Sequence, residues 1–173
     1  MRFILAFFII LFSATSTYAA DVYADGTVVV WENGSNLGPV QRHTGSNKTH
    51  AGIVLYEGKQ AWVYEASRPN VHRYTIEQYI KRIEDAHKTL PNLGVYFLQP
   101  EKPYTANQLH KMKQYANSQI GRPFGIQSYM LGRPMQTVHC CEYVGHILEQ
   151  SGRFKALGPR ETPKTIFDKA SKL

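Results

Sequence analysis

Two cysteines stand side by side in "TVHCCEYVGHILEQSG", residues 137–152, and they are the only two in the chain. Adjacent cysteines close an ordinary disulfide poorly, because the bond needs a separation and a torsion that neighbouring residues reach only in a strained ring. The pair therefore reads as chemistry rather than as a staple. Tyr143, Val144, Ile147 and Leu148 form an i, i+1, i+4, i+5 apolar stripe, which predicts a helix starting near Cys140 and ending at Gly152. A thiol at a helix N-terminus meets unpaired N–H groups and the positive end of the helix dipole. Both favour thiolate, which is the nucleophilic form. The same N–H groups suit the oxyanion of an acyl-transfer intermediate. On composition alone, a small buried residue at a helix start is the favoured reading of Cys140.

A thiolate nucleophile needs a base, and the chain has seven histidines. His87 and His110 fall on helices among polar neighbours. His146 lies six positions along from Cys140. His139 adjoins the thiols in sequence without having to face them, and His43 lies in a loop rich in Gly, Asn and Ser. His50 opens the strand "HAGIVLY", where the backbone is rigid, as a base for acyl transfer requires. The next strand, "QAWVYEA", carries Glu65 in an otherwise apolar run, and charged groups enter buried strands only when paired. With "EGK" as the turn of a hairpin, Glu65 comes across from the His50 region, where a carboxylate can hold the imidazole in one tautomer. A solvent-facing Glu at a strand end is the competing reading.

The elements that must position these residues follow from periodicity. Residues 21–31 read as one or two strands, and residues 32–49 as a loop. His50–Tyr56 and Gln60–Ala66 form the hairpin, and "RPNVHRY" stays extended. Thr75 caps a helix that runs to about Leu90, with Ile76, Tyr79, Ile80 and Ile83 on its apolar face. "LGVYFLQ" is a further strand. A helix from Tyr104 to Ile120 has Thr105 as cap and Gly121 as stop. Residues 121–134 read as irregular, and a short last helix spans Pro163–Ala170. Strands, helix, strand, helices is the order of an α+β domain.

The first 20 residues carry Arg2, an apolar run "FILAFFIILF" too short to span a bilayer, and small residues that place cleavage near Ala19 or Ala20. The expectation is an exported protein, periplasmic or secreted, with residues 21–173 as its single domain. The formal charge is +7, but the basic residues are scattered and no basic stripe with aromatic platforms appears. No nucleic-acid partner is expected. Peripheral association with the cell envelope fits the basic balance. Cys140, Cys141, His139 and His50 are metal-ligand types, but no C-x-x-C or H-x-x-x-H spacing occurs, so neither a metal nor another cofactor is expected.

"THAGIVLY", "VYEA" and "HCCEYV", in that order, resemble the permuted papain-like amidases of the NlpC-type superfamily, the YaeF/YiiX-like cysteine hydrolases. In that family a His opens the first core strand, a Glu follows on the next, and the Cys comes late in a "C-S-E-L-V"-like motif at a helix start. The resemblance covers about Val28 to Phe167. It implies a circularly permuted papain-like fold with an antiparallel sheet core packed with helices. It also implies Cys140 as nucleophile, His50 as base and Glu65 as the third polar residue. Cys141 stands where the family has Ser and Tyr143 where it has Leu, and "DGTVVVWENG" fits the family's opening motif only loosely. The implied reaction is cleavage of an amide or ester through an acyl-enzyme intermediate. The substrate would be a small-molecule, peptide, peptidoglycan-stem or lipid-like acyl compound. Tyr129, Tyr64 and Cys141 are expected to line the binding site, with Phe124 nearby. The alternatives are an acyltransferase and a non-catalytic envelope binding module on the same scaffold.

Overall fold

The computed structural model describes residues 23–33, 39–170 and 172–173; the proposed export segment lies outside the described residues. Its centre is a five-stranded antiparallel sheet in the order β4-β3-β2-β1-β5. The strands are β1 (Val28–Asn33), β2 (Lys48–Glu57), β3 (Gln60–Ala66), β4 (Val71–Thr75) and β5 (Leu93–Leu98). Five of the helices are α1 (Pro39–Thr44), α2 (Ile76–Thr89), α3 (Ala106–Ser118), α4 (Gln127–Leu131) and α5 (Cys140–Glu149). A 3-10 turn at Gly158–Arg160 leads into α6 (Pro163–Ala170). The fold is α+β. The region read as loop before His50 holds α1, and the region read as irregular after Gly121 holds α4. These two helices have only 6 and 5 residues, too few for a helical period to show in sequence.

Alternation along β2 and β3 sorts the core into two layers. Ala51, Ile53, Leu55, Tyr64 and Ala66 face α3, α5 and α6 and pack with Met112, Tyr143, Val144, Ile147, Leu148 and Ile166. Val54, Ala61 and Val63 face α2 and pack with Ile76, Tyr79 and Ile83. Helix α5 is buried along most of its circumference, because it lies between the sheet and the other helices. Its Gly145 lets the Glu161 side chain come within 3.4 Å of where a Cβ would stand.

Helix α2 begins with a capping box. The Thr75 side chain accepts the Gln78 N–H, and the Gln78 side chain accepts the Thr75 N–H at 3.0 Å. Thr75→Ala is expected to cost about 1 kcal/mol, read as a small fall in the urea midpoint at unchanged slope.

Candidate active site

The pairing of β2 with β3 runs from Glu57↔Gln60 to Gly52↔Glu65, so His50 lies just past its end. On the other side, the register between β1 and β2 slips between Trp31 and Glu32, opposite Lys48–His50. A bulge of this kind bends a strand and re-aims the side chain beside it. His50 therefore sits in a notch of the sheet that both layers can reach. Its Nε2 lies 2.8 Å from Glu65 Oε2, and its ring stands edge-on to Trp31 at 6.1 Å. That leaves Nδ1 for the third partner. Cys140, from the opposite layer, lines the same cleft, where the thiol and the imidazole each favour the other's charged form.

Glu65 is fully buried and more heavily tethered than its sequence suggested. Oε1 accepts from Ser67 Oγ at 3.0 Å, lies 3.2 Å from His72 Nε2, and pairs with the Arg82 guanidinium. Burial pushes the carboxyl up. The charges and hydrogen bonds of His50, His72 and Arg82 win and hold it well below the usual carboxylate range. For His50, burial disfavours the imidazolium, but Glu65 and the Cys140 thiolate outweigh it and raise the ring to about 10.

Cys140 is the first residue of α5, and its N-cap is His139 in extended conformation (φ −101, ψ 167). The His139 Nδ1 accepts the Glu142 N–H at 3.3 Å, and its Nε2 donates to the Pro159 carbonyl at 3.1 Å. The cap takes the third N–H of the helix, which leaves those of Cys140 and Cys141 without an intrahelical acceptor. Cys140 Sγ lies 3.6 Å from Cys141 Sγ. The Cys141 S–H donates to Cys140, burial opposes ionisation, and His50 and His139 favour it. The balance holds the Cys140 thiol well below its ordinary value. Burial and the neighbouring thiolate push the Cys141 thiol well above. The adjacent pair thus divides into one thiolate and one proton donor.

Cys140, Cys141, His50 and His139 line a cleft of about 100 Å³ together with Phe124, Ile126 and Tyr129. Thr44, Thr49, Glu161, Thr162 and Pro163 complete its wall. The Tyr129 ring meets His139 edge-on at 5.9 Å. Tyr64, expected at the site, does not line it. Tyr64 enters the α3–α5 layer that also holds Cys140, but its ring is tied elsewhere in that layer, its hydroxyl lying 3.2 Å from Asn117 of α3. Its hydroxyl donates to Glu57 at 2.8 Å and accepts from Arg73 at 2.8 Å. His87 and His110 are exposed, and His146 pairs with Glu149.

Four residues at or behind the site carry no signal in the sequence pattern that singles them out. His72 and Arg82 hold Glu65, His139 caps α5, and Glu161 closes the cleft wall, held by Lys169 at 3.2 Å. His72 was within reach, since it is the direct cross-strand partner of Glu65 once "RPNVHRY" is placed as β4. Arg82 and Glu161 meet the site only through tertiary packing, whereas His139 adjoins Cys140 in the chain and only its role as cap depends on the fold.

No protein-family model matches the chain, and no curated protein matches it. Among solved structures it is similar to the crystal structure of the metalloprotein YiiX from Escherichia coli O157:H7, with a TM-score of 0.58 at 20% identity. The match covers 75% of this chain and 66% of YiiX, so the chain spans just under two thirds of that protein's length. The likeness shows a shared fold.

Proposed function

We propose that the protein is a cysteine hydrolase of the YiiX-like, permuted papain-like kind, cleaving an amide or ester bond with Cys140, His50 and Glu65. The observation that carries the reading is the His50 imidazole bonded to the buried Glu65 carboxylate in the same cleft that the helix-start Cys140 thiol lines. The fold shared with YiiX supports it, and so does the order of the three residues in the chain. The Cys140 thiolate attacks the carbonyl carbon, and the orphan N–H groups at the start of α5 receive the oxyanion. As the tetrahedral intermediate collapses, the His50 imidazolium gives its proton to the departing amine or alcohol. Neutral His50 then takes a proton from water, the hydroxide attacks the thioester, and the acid leaves with Cys140 restored as thiolate. Glu65 keeps the ring oriented throughout and stabilises its charged form. We place this activity outside the cytoplasm, following the export signal.

YiiX is named a metalloprotein, and the donor set that could answer a metal here is His139, Cys140 and Cys141, whose donor atoms lie within 4.8 Å of one another. These residues do not fit a cation well. Both ring nitrogens of His139 are engaged, one in capping α5 and one on Pro159. Cys141 is held as a thiol, and the positive end of α5 repels a cation. No step of the reaction is routed through a metal.

Alkylation by iodoacetamide tests the reading directly, with the modified residue located by mass spectrometry. Wild-type protein is expected to label at Cys140, at a rate nearly constant between pH 6 and pH 8, because the thiolate is already formed. In His50→Ala the rate should climb with pH over that interval, because the thiolate has lost its imidazolium partner, though less steeply than for free cysteine, since Cys141 and His139 still favour the thiolate. Cys141→Ser should still label at Cys140. A wild-type profile like that of free cysteine, or two unreactive thiols, sinks the hydrolase reading and favours a binding module.

A further inference from the structure

We propose that the rim of the cleft, built by α4 and the Gly158–Arg160 turn, docks on the surface of an anionic phospholipid bilayer. Among the described residues six large apolar side chains stand exposed, and four of them belong to this rim: Ile126, Met130, Leu131 and Leu157. Met130 is 61% exposed and Leu131 56%. Helix α4 packs against the 3-10 turn that follows Leu157, so the four come from adjoining segments. Ile126 also lines the cleft beside Phe124 and Tyr129. An apolar surface therefore runs from the rim inward to Cys140. Helix α4 is two-sided, with Ser128 buried against Glu142 at 2.6 Å and Tyr129 turned to His139, while Met130 and Leu131 remain outside.

The charge around this apolar edge has one sign. Residues 121–141 contain no Asp or Glu but carry Arg122 and Arg133, and residues 153–160 contain Arg153, Lys155 and Arg160 without an acid. Arg133 and Arg160 are exposed. Gly132, at φ 67, closes α4 in the left-handed region, and a Cβ there would come within 2.5 Å of the Arg160 guanidinium. The Arg160 guanidinium thus lies over Gly132, the residue after Leu131. Exposed apolar side chains flanked by Arg133 and Arg160, with no exposed acid in the same two segments, suit the boundary between acyl chains and anionic headgroups. A protein partner of ordinary size buries about 800 Å² per side, more than these few side chains present. A peptidoglycan stem peptide would bring carboxylates, and no Lys or Arg lines the cleft among the described residues.

Docking of this kind stands without the thiol chemistry. Its consequence, that the carbonyl reaching Cys140 is carried by a lipid, rests on the proposed hydrolase reading. The test is co-sedimentation with vesicles of phosphatidylcholine alone or mixed with phosphatidylglycerol. Wild type and Cys140→Ser should bind the mixed vesicles equally, and less at high salt. The double variant Met130→Glu, Leu131→Glu should lose at least tenfold in binding while keeping its melting temperature, since both side chains are exposed. Arg133→Gln with Arg160→Gln should weaken binding to the mixed vesicles specifically. Absence of binding to either vesicle overturns the proposal, and so does binding that the Met130, Leu131 variant leaves unchanged. Retention on peptidoglycan sacculi, lost in that variant while vesicles are ignored, overturns it in favour of a cell-wall partner. Vesicle binding together with an unreactive Cys140 keeps the docking surface and removes only the lipid carbonyl.

Discussion

Cys140→Ala and His50→Ala are each expected to lower hydrolysis of an activated acyl ester by about 10³-fold or more, and the double variant is expected to be no worse than either single one. The ester serves because it presents a carbonyl without requiring the natural leaving group. Non-additivity is the decisive part. A thiolate and an imidazole that act as one unit fail together when either is removed, whereas two independent contributions multiply. Cys141→Ser should remain within about tenfold of wild type, because a hydroxyl still donates a hydrogen bond to Cys140 Sγ. The pH profile carries the same logic. Cys140 is depressed and His50 raised to about 10, so the reactive pair is thiolate with imidazolium from the acid side of neutrality upward. Activity should hold across neutral pH and fall as pH rises through about 10, with both limbs belonging to the pair. Full turnover in Cys140→Ala, or singles that multiply in the double, refutes the assignment.

Glu65→Gln should be the most destabilising single change near the site, at about 3–5 kcal/mol. The side chain is fully buried and answers His50, His72, Arg82 and Ser67 at once. Glutamine keeps the shape, loses the charge, and turns one acceptor into a donor facing other donors. The sign of the pH dependence follows from the two shifted groups. The Glu65 pKa is depressed from 4.5, so its contribution is present above that value and is lost as pH falls below it. The His50 pKa is raised from 6.5 to about 10, so its contribution is complete below 6.5 and fades as pH rises toward 10. The gap between wild type and Glu65→Gln should therefore be widest between 4.5 and 6.5 and narrow on both sides. Urea unfolding across pH measures it. A gap that ignores pH means that Glu65 acts through packing alone.

Much of this is legible in the order of the amino acids. The helix over Cys140–Glu149 announces itself by its apolar stripe, and a residue at the start of a helix meets free N–H groups wherever that helix lies. The hairpin around Gly58 sets Glu65 against Gly52, because a short turn between alternating strands leaves few registers open. The capping boxes at Thr75 and Thr105 are likewise local, spelled out within four residues. Those features place His50 and Glu65 on neighbouring strands and Cys140 at a helix end.

Tertiary structure decided the rest. Tyr64, expected at the site, shares a layer with Cys140 yet is held by Glu57, Arg73 and Asn117 instead of lining the cleft, and those partners come from β2, β4 and α3. The bulge near His50 depends on how β1 meets β2, and nothing in "NKTHAG" states it. His72 and Arg82 reach Glu65 from β4 and α2, and His139 becomes a helix cap only where Pro159 stands to receive its other nitrogen. Helix α4 is too short to write a period into residues 121–134, so the apolar, basic rim exists only once that segment lies beside the Gly158–Arg160 turn. Sequence by itself determined the chemistry-bearing residues and the elements that carry them, since periodicity and capping act over a few neighbours. Which side chains share a charge, a cleft or a surface depends on contacts between segments far apart in the chain, and only folding sets those.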